Sequence, residues 1–387
     1  MKMAFSNGTS LSTRQFLVRC LRAFLAVEGE PQLKAPIEDV DWDSLVHLAA
    51  FHRVAPILDR ALRNGCPQAV PASVLADLAA YVHSAASRSL FLTGELVRLL
   101  KCLEAQGIPA IPFKGPALSS LLYGDPALRH FDDIDILVRQ EWYPSAKLLL
   151  LSLGYQPKYQ LTKRQEKAYL QSHHHEHFTL TRGDMRIDVE LHGSIVPEDF
   201  PFHQDLEGVW ERRERVSFAG MTVDSLTPED LLLFLCVHGS RHLWMRLQWI
   251  CDVAQLVKRQ ETMDWERIVK QANTSGGWRM FFLGIFLAND VLGMPLPRGL
   301  EQGIRNDSPV AKLARRVRWQ LFEGPLVVVK PWKETFFRLQ LIDRARDRIA
   351  YLPRYWFQKL TASHHRHTEY VPGVTTLKGR PTTGPKG

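Results

Sequence analysis

The order of apolar and polar positions divides the chain into a helical beginning, a short mixed centre and a helical second half. Apolar clusters recur at helical spacing through residues 11–80, and residues 81–106 form one long helical segment that ends at Gly107. Near the middle, apolar and polar residues alternate over stretches of strand length. From residue 227 the helical period returns. The pattern predicts an α+β protein, with a small mixed β-sheet core flanked by helical N- and C-terminal domains.

Glycine and proline clusters divide the pattern into shorter elements and into five regions. The elements predicted around the centre are strands at 108–113, 133–138, 177–181 and 185–192, helices at 117–123 and 144–152, a hairpin at 216–223, and one long helix from Thr227 to about Lys258. The regions are a helical N-terminal domain (1–84), the sheet-containing core (85–225), a helical domain that packs near the core's site (226–300), a basic and aromatic helical segment (301–362) and a disordered tail (363–387).

Two carboxylates lie two residues apart in the apolar stretch Asp133-Ile134-Asp135-Ile136-Leu137-Val138. Because successive side chains of a strand point to opposite faces, Asp133 and Asp135 share one face. Paired carboxylate oxygens suit a divalent cation that carries phosphates. An exposed edge strand with two solvated aspartates is the alternative interpretation.

A Lys-Gly turn precedes this acidic strand and opens a short helix. Gly115 lets the backbone approach a ligand closely, and the helix that follows offers free N–H groups and a positive dipole end to a phosphate. Lys114 adds a point charge, and Arg129, just before the acidic strand, suits bidentate contact with phosphate. The ordered set of strand, turn, helix, arginine and acidic strand is more specific than any of its parts.

A second alternating stretch, residues 186–192, offers a third carboxylate. Asp188, Glu190 and His192 fall on one face of this predicted strand, and the apolar residues between them fall on the other. If this strand packs beside the first acidic strand, either Asp188 or Glu190 will lie close to Asp133 and Asp135. A solvent-facing strand edge is the alternative.

These motifs resemble the DNA polymerase β-like nucleotidyltransferase superfamily, in which a Gly-rich turn opens a helix and an acidic strand follows. The closer resemblance, over roughly residues 85–300, is to a bacterial family usually described only as uncharacterised nucleotidyltransferases. Two departures from the superfamily, Gly115-Pro116 in place of Gly-Ser or Gly-Gly and a longer spacing to Asp133, suit that family better. The matching residues are Lys114-Gly115, Leu122-Tyr123, Arg129, Asp133 to Val138 and Glu190-Leu191-His192.

The resemblance implies transfer of a nucleoside monophosphate from a nucleoside triphosphate, such as ATP, to an unidentified acceptor: a small molecule, a sugar, a peptide or a protein. It implies Mg²⁺, with Mn²⁺ as the alternative ion, held by Asp133, Asp135 and a third acid. Glu190 occupies the acid-Leu-His position and is the first choice for that acid, and Asp188 stays open.

Histidines mark the long helix predicted from Thr227. On it His238, His242, Met245, Trp249 and Asp252 fall on one face at spacings of three and four residues. Such a stripe suggests a wall of the active site that contacts base, sugar or acceptor; core histidines satisfied by neighbours are the alternative. The predicted nucleotide-binding residues are therefore Lys114, Gly115, Arg129, His192, His238 and His242.

The run His173-His174-His175-Glu176-His177 predicts an entry from a loop into a strand. Because neighbouring strand residues face opposite ways, two or three of these histidines at most can share a metal. Alternate members such as His175 and His177 are the ones expected to line the cleft.

Composition narrows the location and the partners. Five scattered cysteines without Cys-x-x-Cys spacing, no secretory signal, and no apolar run near the ~20 residues of a membrane span predict a cytoplasmic protein. The net charge is +8, and between residues 330 and 359 eight basic residues face three acidic ones, interleaved with aromatics. A solvated basic helix face is the simpler interpretation and a peripheral membrane contact the alternative; the nucleic-acid signal is not strong.

Two other kinds of function compete with the enzyme. A noncatalytic nucleotidyltransferase-like binding protein, such as an antitoxin-type partner, would explain the missing serine after Gly115, although Asp133, Asp135 and Arg129 are all retained. A membrane-surface adaptor would use the basic and aromatic segment.

Overall fold

The computed structural model describes residues 10–25, 33, 40–159, 175–197, 200–260, 262–297, 299–301, 307–323, 331–351 and 353. The predicted disordered tail at 363–387 lies outside them. The described helices are α1 (Leu11–Leu25), α2 (Trp42–Phe51), α3 (Ala55–Gly65), α4 (Ala72–Ala105), α5 (Gly115–Tyr123), α6 (Tyr143–Ser152), α7 (Leu206–Arg212), α8 (Pro228–Arg241), α9 (Leu247–Arg259), α10 (Trp265–Ser275), α11 (Trp278–Leu292), α12 (Ser308–Phe322) and α13 (Pro331–Leu341). The described strands are β1 (Ala110–Pro112), β2 (Ile134–Val138), β3 (Gln156–Pro157), β4 (His175–Arg182), β5 (Met185–His192), β6 (Glu214–Phe218) and β7 (Met221–Ser225).

A five-stranded mixed sheet in the order β1-β2-β5-β4-β3 forms the centre of the protein, and β6 and β7 form a separate hairpin. Strands β2 and β5 are parallel, and the other neighbouring pairs are antiparallel. The apolar alternates of β2 and β5, including Ile134, Val189 and Leu191, are buried in one core with the side chains of α4 and α6. With helices on either side in the chain, the predicted α+β class is confirmed.

Turn chemistry explains why the short elements begin and end where they do. Pro116 occupies the first turn of α5, where a missing N–H costs nothing, so this helix begins two residues earlier than predicted. Gly124, with φ of 70°, ends it in the left-handed conformation. Both predicted hairpins are present: Gly183 (φ 59°) turns β4 into β5, and Ala219-Gly220 turns β6 into β7.

The prediction of one helix from Thr227 to Lys258 is wrong, because α8 ends at Arg241 and α9 begins at Leu247. Leu243 and Trp244 between them adopt φ values of 57° and 54°. Each such residue costs about 1–2 kcal/mol. The break buries the Trp244 indole completely against Gly239, where an added Cβ would lie 2.6 Å from the ring. Burial of an indole is worth about 3–5 kcal/mol, which offsets the two strained residues.

Helices from both ends of the chain share one apolar core. Helix α1 contacts α9 and α11, and its Phe16 and Leu17 are buried in the same cluster as Leu283 and Leu287 of α11. Arg22 also donates from Nε to the Val291 carbonyl at 2.9 Å. The predicted division into domains stays a prediction, but its N-terminal and post-core helices are in direct contact.

Helix α13, in the predicted basic and aromatic segment, packs on α12 and α8. Phe337 and Leu341 are buried, and Phe336 is 53% exposed. Arg338 pairs with Glu334 at 2.7 Å and donates to the Arg241 carbonyl at 3.2 Å. The segment therefore takes part in the fold, and its membrane contact stays a prediction. Among the described helices, none has both the length and the apolar character needed to cross a bilayer.

Candidate active site on the acidic face of the sheet

The sheet face opposite the α4 and α6 core carries Asp135, Asp188, Glu190 and His192, and we call it the acidic face. Asp135 stands directly beside Glu190 in the parallel register of β2 and β5. Asp133 lies immediately before β2, one alternation from Asp135. Asp135 is 1% exposed, so the acidic face is not a solvated strand edge at this position. The strands thus bring together the carboxylates that alternation predicted on one side.

Lys114, at the turn between β1 and α5, supplies a positive charge to this face. Its Nζ contacts Asp135 Oδ1 and lies 3.9 Å from Glu190 Oε2. Burial lowers the pKa of Lys114, but the carboxylates of Asp135, Glu190 and Asp133 more than compensate and raise it. The lysine is therefore charged, and it faces three acids.

The pKa values of Asp133 and Glu190 shift in opposite directions. Burial, together with the neighbouring Asp135 and Glu190, raises the pKa of Asp133 well above its ordinary value. Burial also acts to raise the pKa of Glu190, but His175, the hydrogen bond from His192 and Lys114 hold it well below the usual range. Glu190 is therefore ionised, whereas Asp133 binds its own proton more readily than an exposed aspartate.

Gly115 fits tightly against the entrance to β2. Its φ is 54°, and a Cβ added there would lie 2.6 Å from the Asp133 carbonyl oxygen. The sequence predicts a close approach to a ligand at this glycine; in the fold, the close neighbour is protein backbone. Gly115 thus sets the position of Asp133 relative to Lys114.

Asp188 lies on the acidic face one alternation from Glu190 and is engaged by other groups. Arg186 donates to it from Nη2 at 2.8 Å, and His177 Nε2 lies 3.1 Å from its Oδ1. Burial opposes ionisation, but these two hydrogen bonds lower the pKa of Asp188. The register places Glu190, and not Asp188, opposite Asp135.

Two histidines of adjacent strands approach Glu190. His175 of β4 stands opposite His192 of β5, with ring centroids 4.9 Å apart. His192 Nε2 lies 3.1 Å from Asp135 Oδ1 and 3.3 Å from Glu190 Oε2, and His175 Nε2 lies 3.5 Å from Glu190 Oε1. His177 is farther, with Nδ1 3.8 Å from Glu190 Oε1. His173 and His174 lie outside the described residues.

Arg129 forms a buried ion pair that the sequence does not predict. Its Nε donates to both oxygens of Asp252 in α9, at 3.0 and 3.1 Å, and Tyr123 OH donates to Oδ1 of the same carboxylate at 3.1 Å. The pair ties α9 to the core near the entrance of β2. Contact of Arg129 with phosphate stays a prediction. No local pattern could have shown the pair, because its members lie on different elements far apart in the chain.

Histidines and aromatic rings of α8 and α9 continue outward from the acidic face. Phe113 contacts His192 (4.9 Å between centroids) and Phe234 (5.3 Å), and Phe234 contacts His238 (5.6 Å). His238 and His242 lie 4.6 Å apart, and Trp249 lies 5.4 Å from His242. Three members of the predicted stripe, His238, His242 and Trp249, therefore meet in space although the helix is broken, whereas Asp252 pairs with Arg129.

The histidines of this wall are neutral. Burial, and then the positive charges of Lys114 and Arg241, lower the pKa of His238 and of His242 well below the ordinary value. Both side chains remain partly exposed. A neutral imidazole at an accessible surface can donate one hydrogen bond and accept another.

The donor set of the acidic face fits a divalent cation. Mg²⁺ and Mn²⁺ take carboxylate oxygens, and one or two carboxylates plus substrate phosphates suffice for Mg²⁺. Asp135 Oδ2 is buried and has no hydrogen-bond partner among the residues that the structure describes. An unsatisfied buried carboxylate oxygen is costly, and a bound cation would remove that cost.

The hairpin register explains how His175, one of the two histidines predicted to line the cleft, reaches the acidic face. The predicted turn at residues 182–184 fixes the register, which pairs His175 with His192 and His177 with Glu190. His175 thereby joins the acidic face. The contact between Lys114 and Asp135 had no comparable signal, because it depends on how the turn packs against β2.

Comparison with known proteins was made for the whole chain. No curated protein matches it. Among solved structures, an antigenic nucleotidyltransferase-like protein from Paracoccidioides brasiliensis is 15% identical, with a TM-score of 0.30, over 47% of this chain and 87% of that chain. The model of a family described as "Uncharacterised nucleotidyltransferase" matches residues 38–293, from the helices before the sheet through α11. The match spans more than half of the chain and includes every residue of the acidic face, so this protein belongs to that family of uncharacterised nucleotidyltransferases.

Proposed function

We propose that this protein is a divalent-cation-dependent enzyme that transfers a nucleoside monophosphate from a nucleoside triphosphate to an acceptor hydroxyl or related group. The observation that supports it best is the juxtaposition of Asp135 and Glu190 across parallel strands, with Asp133 at the entrance and Lys114 in contact. Asp133, Asp135 and Glu190 would hold Mg²⁺ or Mn²⁺. The ion, when bound, polarises the phosphate oxygens and offsets their charge.

Individual residues of the chain then have separate roles in the transfer. Glu190, ionised at neutral pH, takes the proton of the acceptor hydroxyl. The acceptor oxygen forms a bond to the α-phosphorus, and the bond from that phosphorus to the bridging oxygen breaks, so that pyrophosphate leaves with the bonding electrons. Lys114 binds the triphosphate, because its ammonium lies at the acidic face beside the N-terminus of α5.

We assign the third carboxylate to Glu190 rather than Asp188. Glu190 is in register with Asp135 and within reach of Lys114, whereas Asp188 is held by Arg186 and His177. Asp188 is then a positioning residue that fixes His177. His238 and His242 are assigned to the nucleotide or the acceptor because they line the wall that begins at His192.

The first test is a thermal-shift screen of the full chain with ATP, GTP, CTP and UTP, each with Mg²⁺ or Mn²⁺. Wild type should show a metal-dependent rise in melting temperature with at least one nucleotide. Asp135→Asn should abolish this rise. Asp188→Asn is the matched control, on the same face but outside the proposed ligand set, and it should keep the rise.

Catalysis is then measured as release of pyrophosphate during incubation with the nucleotide and a mixture of acceptors. Pyrophosphate release that Glu190→Gln reduces at least about 100-fold is expected for loss of a general base. Binding of a nucleotide without turnover over the acceptor classes would favour the noncatalytic binding protein. Absence of any metal-dependent nucleotide shift would count against the enzyme and would also favour the noncatalytic binding protein.

A further inference from the structure

We propose that His175, Glu190 and His192 form a binding site for a divalent first-row transition-metal ion in preference to Mg²⁺. The inference deepens the proposed function and rests on it, because Glu190 belongs to both ligand sets. It concerns the part of the acidic face toward β4, beyond the aspartates of β2.

The register of β4 and β5 places the three donors on one face. His175 and His192 are directly opposite each other, and Glu190 is two residues from His192 on the same strand. One donor atom from each residue lies within 4.8 Å of the others. His175 Nε2 lies 3.5 Å from Glu190 Oε1, and His192 Nε2 lies 3.3 Å from the other oxygen, Oε2. Each distance is close to the roughly 3.4 Å that separates adjacent ligands around a tetrahedral ion with ~2.1 Å bonds.

The chemistry of this donor set selects the ion. Two imidazole nitrogens and one carboxylate are typical ligands of Zn²⁺ and of related ions such as Co²⁺. Mg²⁺ prefers oxygen donors and keeps several of its waters, so it gains little from imidazole. Three protein ligands leave a coordination position for water or a phosphate oxygen, as in catalytic rather than structural sites.

A second observation points to a cation at the same place. Asp135, buried to 1% exposure, has an Oδ2 without a hydrogen-bond partner among the described residues, and its Oδ1 lies 3.1 Å from His192 Nε2. The aspartate therefore borders the site through His192. Lys114 Nζ lies 3.9 Å from Glu190 Oε2, the oxygen that His192 also approaches, whereas His175 approaches Oε1.

The test is a titration of the full chain with Co²⁺ in excess Mg²⁺, followed by the visible absorption of bound Co²⁺ and by equilibrium dialysis. Wild type should bind Co²⁺ in the presence of Mg²⁺, and His175→Ala should weaken this binding at least about tenfold. His175 is the preferred position because it is less buried than His192. His203→Ala, at a histidine with 62% side-chain exposure away from the sheet, is the matched control and should bind as wild type does. Circular dichroism verifies that each variant is folded.

Two results overturn the inference: Co²⁺ binding that Mg²⁺ displaces at equal concentration, or His175→Ala binding equal to wild type. The variant Asp133→Asn distinguishes failure of this inference from failure of the proposed function. It should lose the nucleotide-dependent thermal shift and still bind Co²⁺. If His175→Ala binds Co²⁺ normally while Asp133→Asn loses the nucleotide shift, only the transition-metal site is excluded. If the Co²⁺ results are as expected and Asp133→Asn keeps the nucleotide shift, the proposed function fails instead.

Discussion

At the scale of single residues, two positions at the acidic face are constrained by their neighbours. One is Gly115, through its backbone conformation, and the other is Asp133, through its pKa. Gly115 is left-handed and leaves no room for a side chain beside the Asp133 carbonyl. Burial, and then the like charges of Asp135 and Glu190, raise the pKa of Asp133. Strain and charge repulsion of this kind are common at functional sites. Each leads to a prediction that can be measured without knowing the substrate.

Replacing Gly115 by alanine should lower the free energy of unfolding by about 2–4 kcal/mol, because both φ and the contact with Asp133 oppose a side chain. Gly183→Ala is the matched control: its φ is 59°, but a Cβ there meets nothing within 4 Å. It should cost only about 1 kcal/mol. Urea unfolding of both variants measures the difference. Equal losses would mean that the approach to Asp133 contributes nothing.

Asp133→Asn should stabilise the protein in the absence of divalent cations, most clearly at neutral pH. The pKa of Asp133 is higher in the folded state than in the unfolded state, so folding favours its protonated form. Stability from this group is present below the unfolded pKa of about 4 and is lost as the pH rises through the folded pKa. Melting temperatures of both proteins in chelator should therefore diverge as the pH rises from 4, with the variant higher. If wild type is more stable than Asp133→Asn at pH 7, folding does not raise the pKa of Asp133.

At the scale of elements, polar contacts decide how the helices meet the sheet. The ion pair of Arg129 with Asp252 joins α9 to the segment before β2, and Gln255 and Arg259 of the same helix donate to carbonyls of α5. Asp132 ties the other side of that segment to the turn before α3 through Arg53 and to α4 through Arg88. The strand that carries Asp135 is thus held from both sides.

Asp252→Ala should destabilise the protein by about 3–5 kcal/mol, because Arg129 would be left buried without a counter-charge. The double variant Arg129→Met/Asp252→Leu should recover much of that loss, since it removes both buried charges. Asp290→Ala, which breaks an exposed pair with Arg318, is the control and should cost less than about 1 kcal/mol. Chemical denaturation of the three variants would show this order. A double variant no more stable than Asp252→Ala would indicate that the pair is favourable in itself.

Asp132 should make the protein sensitive to acid. Burial raises the pKa of Asp132, but the hydrogen bond from His130 and the charges of Arg53 and Arg88 lower it to about 2. Its contribution is therefore present above the unfolded pKa of about 4 and disappears as the pH falls through the folded value. Asp132→Asn should cost about 1–2 kcal/mol at pH 7, with the difference from wild type shrinking below pH 4. A difference independent of pH would point to packing instead of charge.

At the scale of the whole molecule, the N-terminal helices and the helices after the sheet form one core. Phe16 and Leu17 of α1 are buried with residues of α9 and α11, so neither group of helices covers its apolar face alone. The family match also begins at residue 38, within the N-terminal region and before the sheet. Helices α2 and α3 therefore lie within the family match, and α1, which precedes it, is joined to the same core by packing.

The full chain should unfold in a single cooperative transition, and a version that lacks residues 1–84 should not fold. Removal of α1, α2 and α3 would expose the apolar surfaces of α9 and α11 that they cover. Differential scanning calorimetry of the full chain and circular dichroism of the truncated chain check these outcomes. Two resolved transitions, or a folded truncated chain, would show that the predicted N-terminal domain is independent.

The sequence by itself determined the local features of this protein, because they depend on short-range rules. Alternation placed Asp188, Glu190 and His192 on one face, and Pro116, Gly183 and the Thr227 cap fixed where elements begin and turn. The motifs Lys114-Gly115, Asp133-Ile134-Asp135 and Glu190-Leu191-His192 also carried the resemblance to the family that the match confirms.

Only the tertiary structure decided the rest. The parallel pairing of β2 with β5 put Glu190, and not Asp188, beside Asp135. Burial of Trp244 broke the long helix, and Asp252 took Arg129 as its partner across more than a hundred residues. Strand order, helix breaks and buried ion pairs all arise from the gain in packing and charge compensation between distant segments. A local sequence pattern does not report contacts between distant segments, so it cannot predict these features.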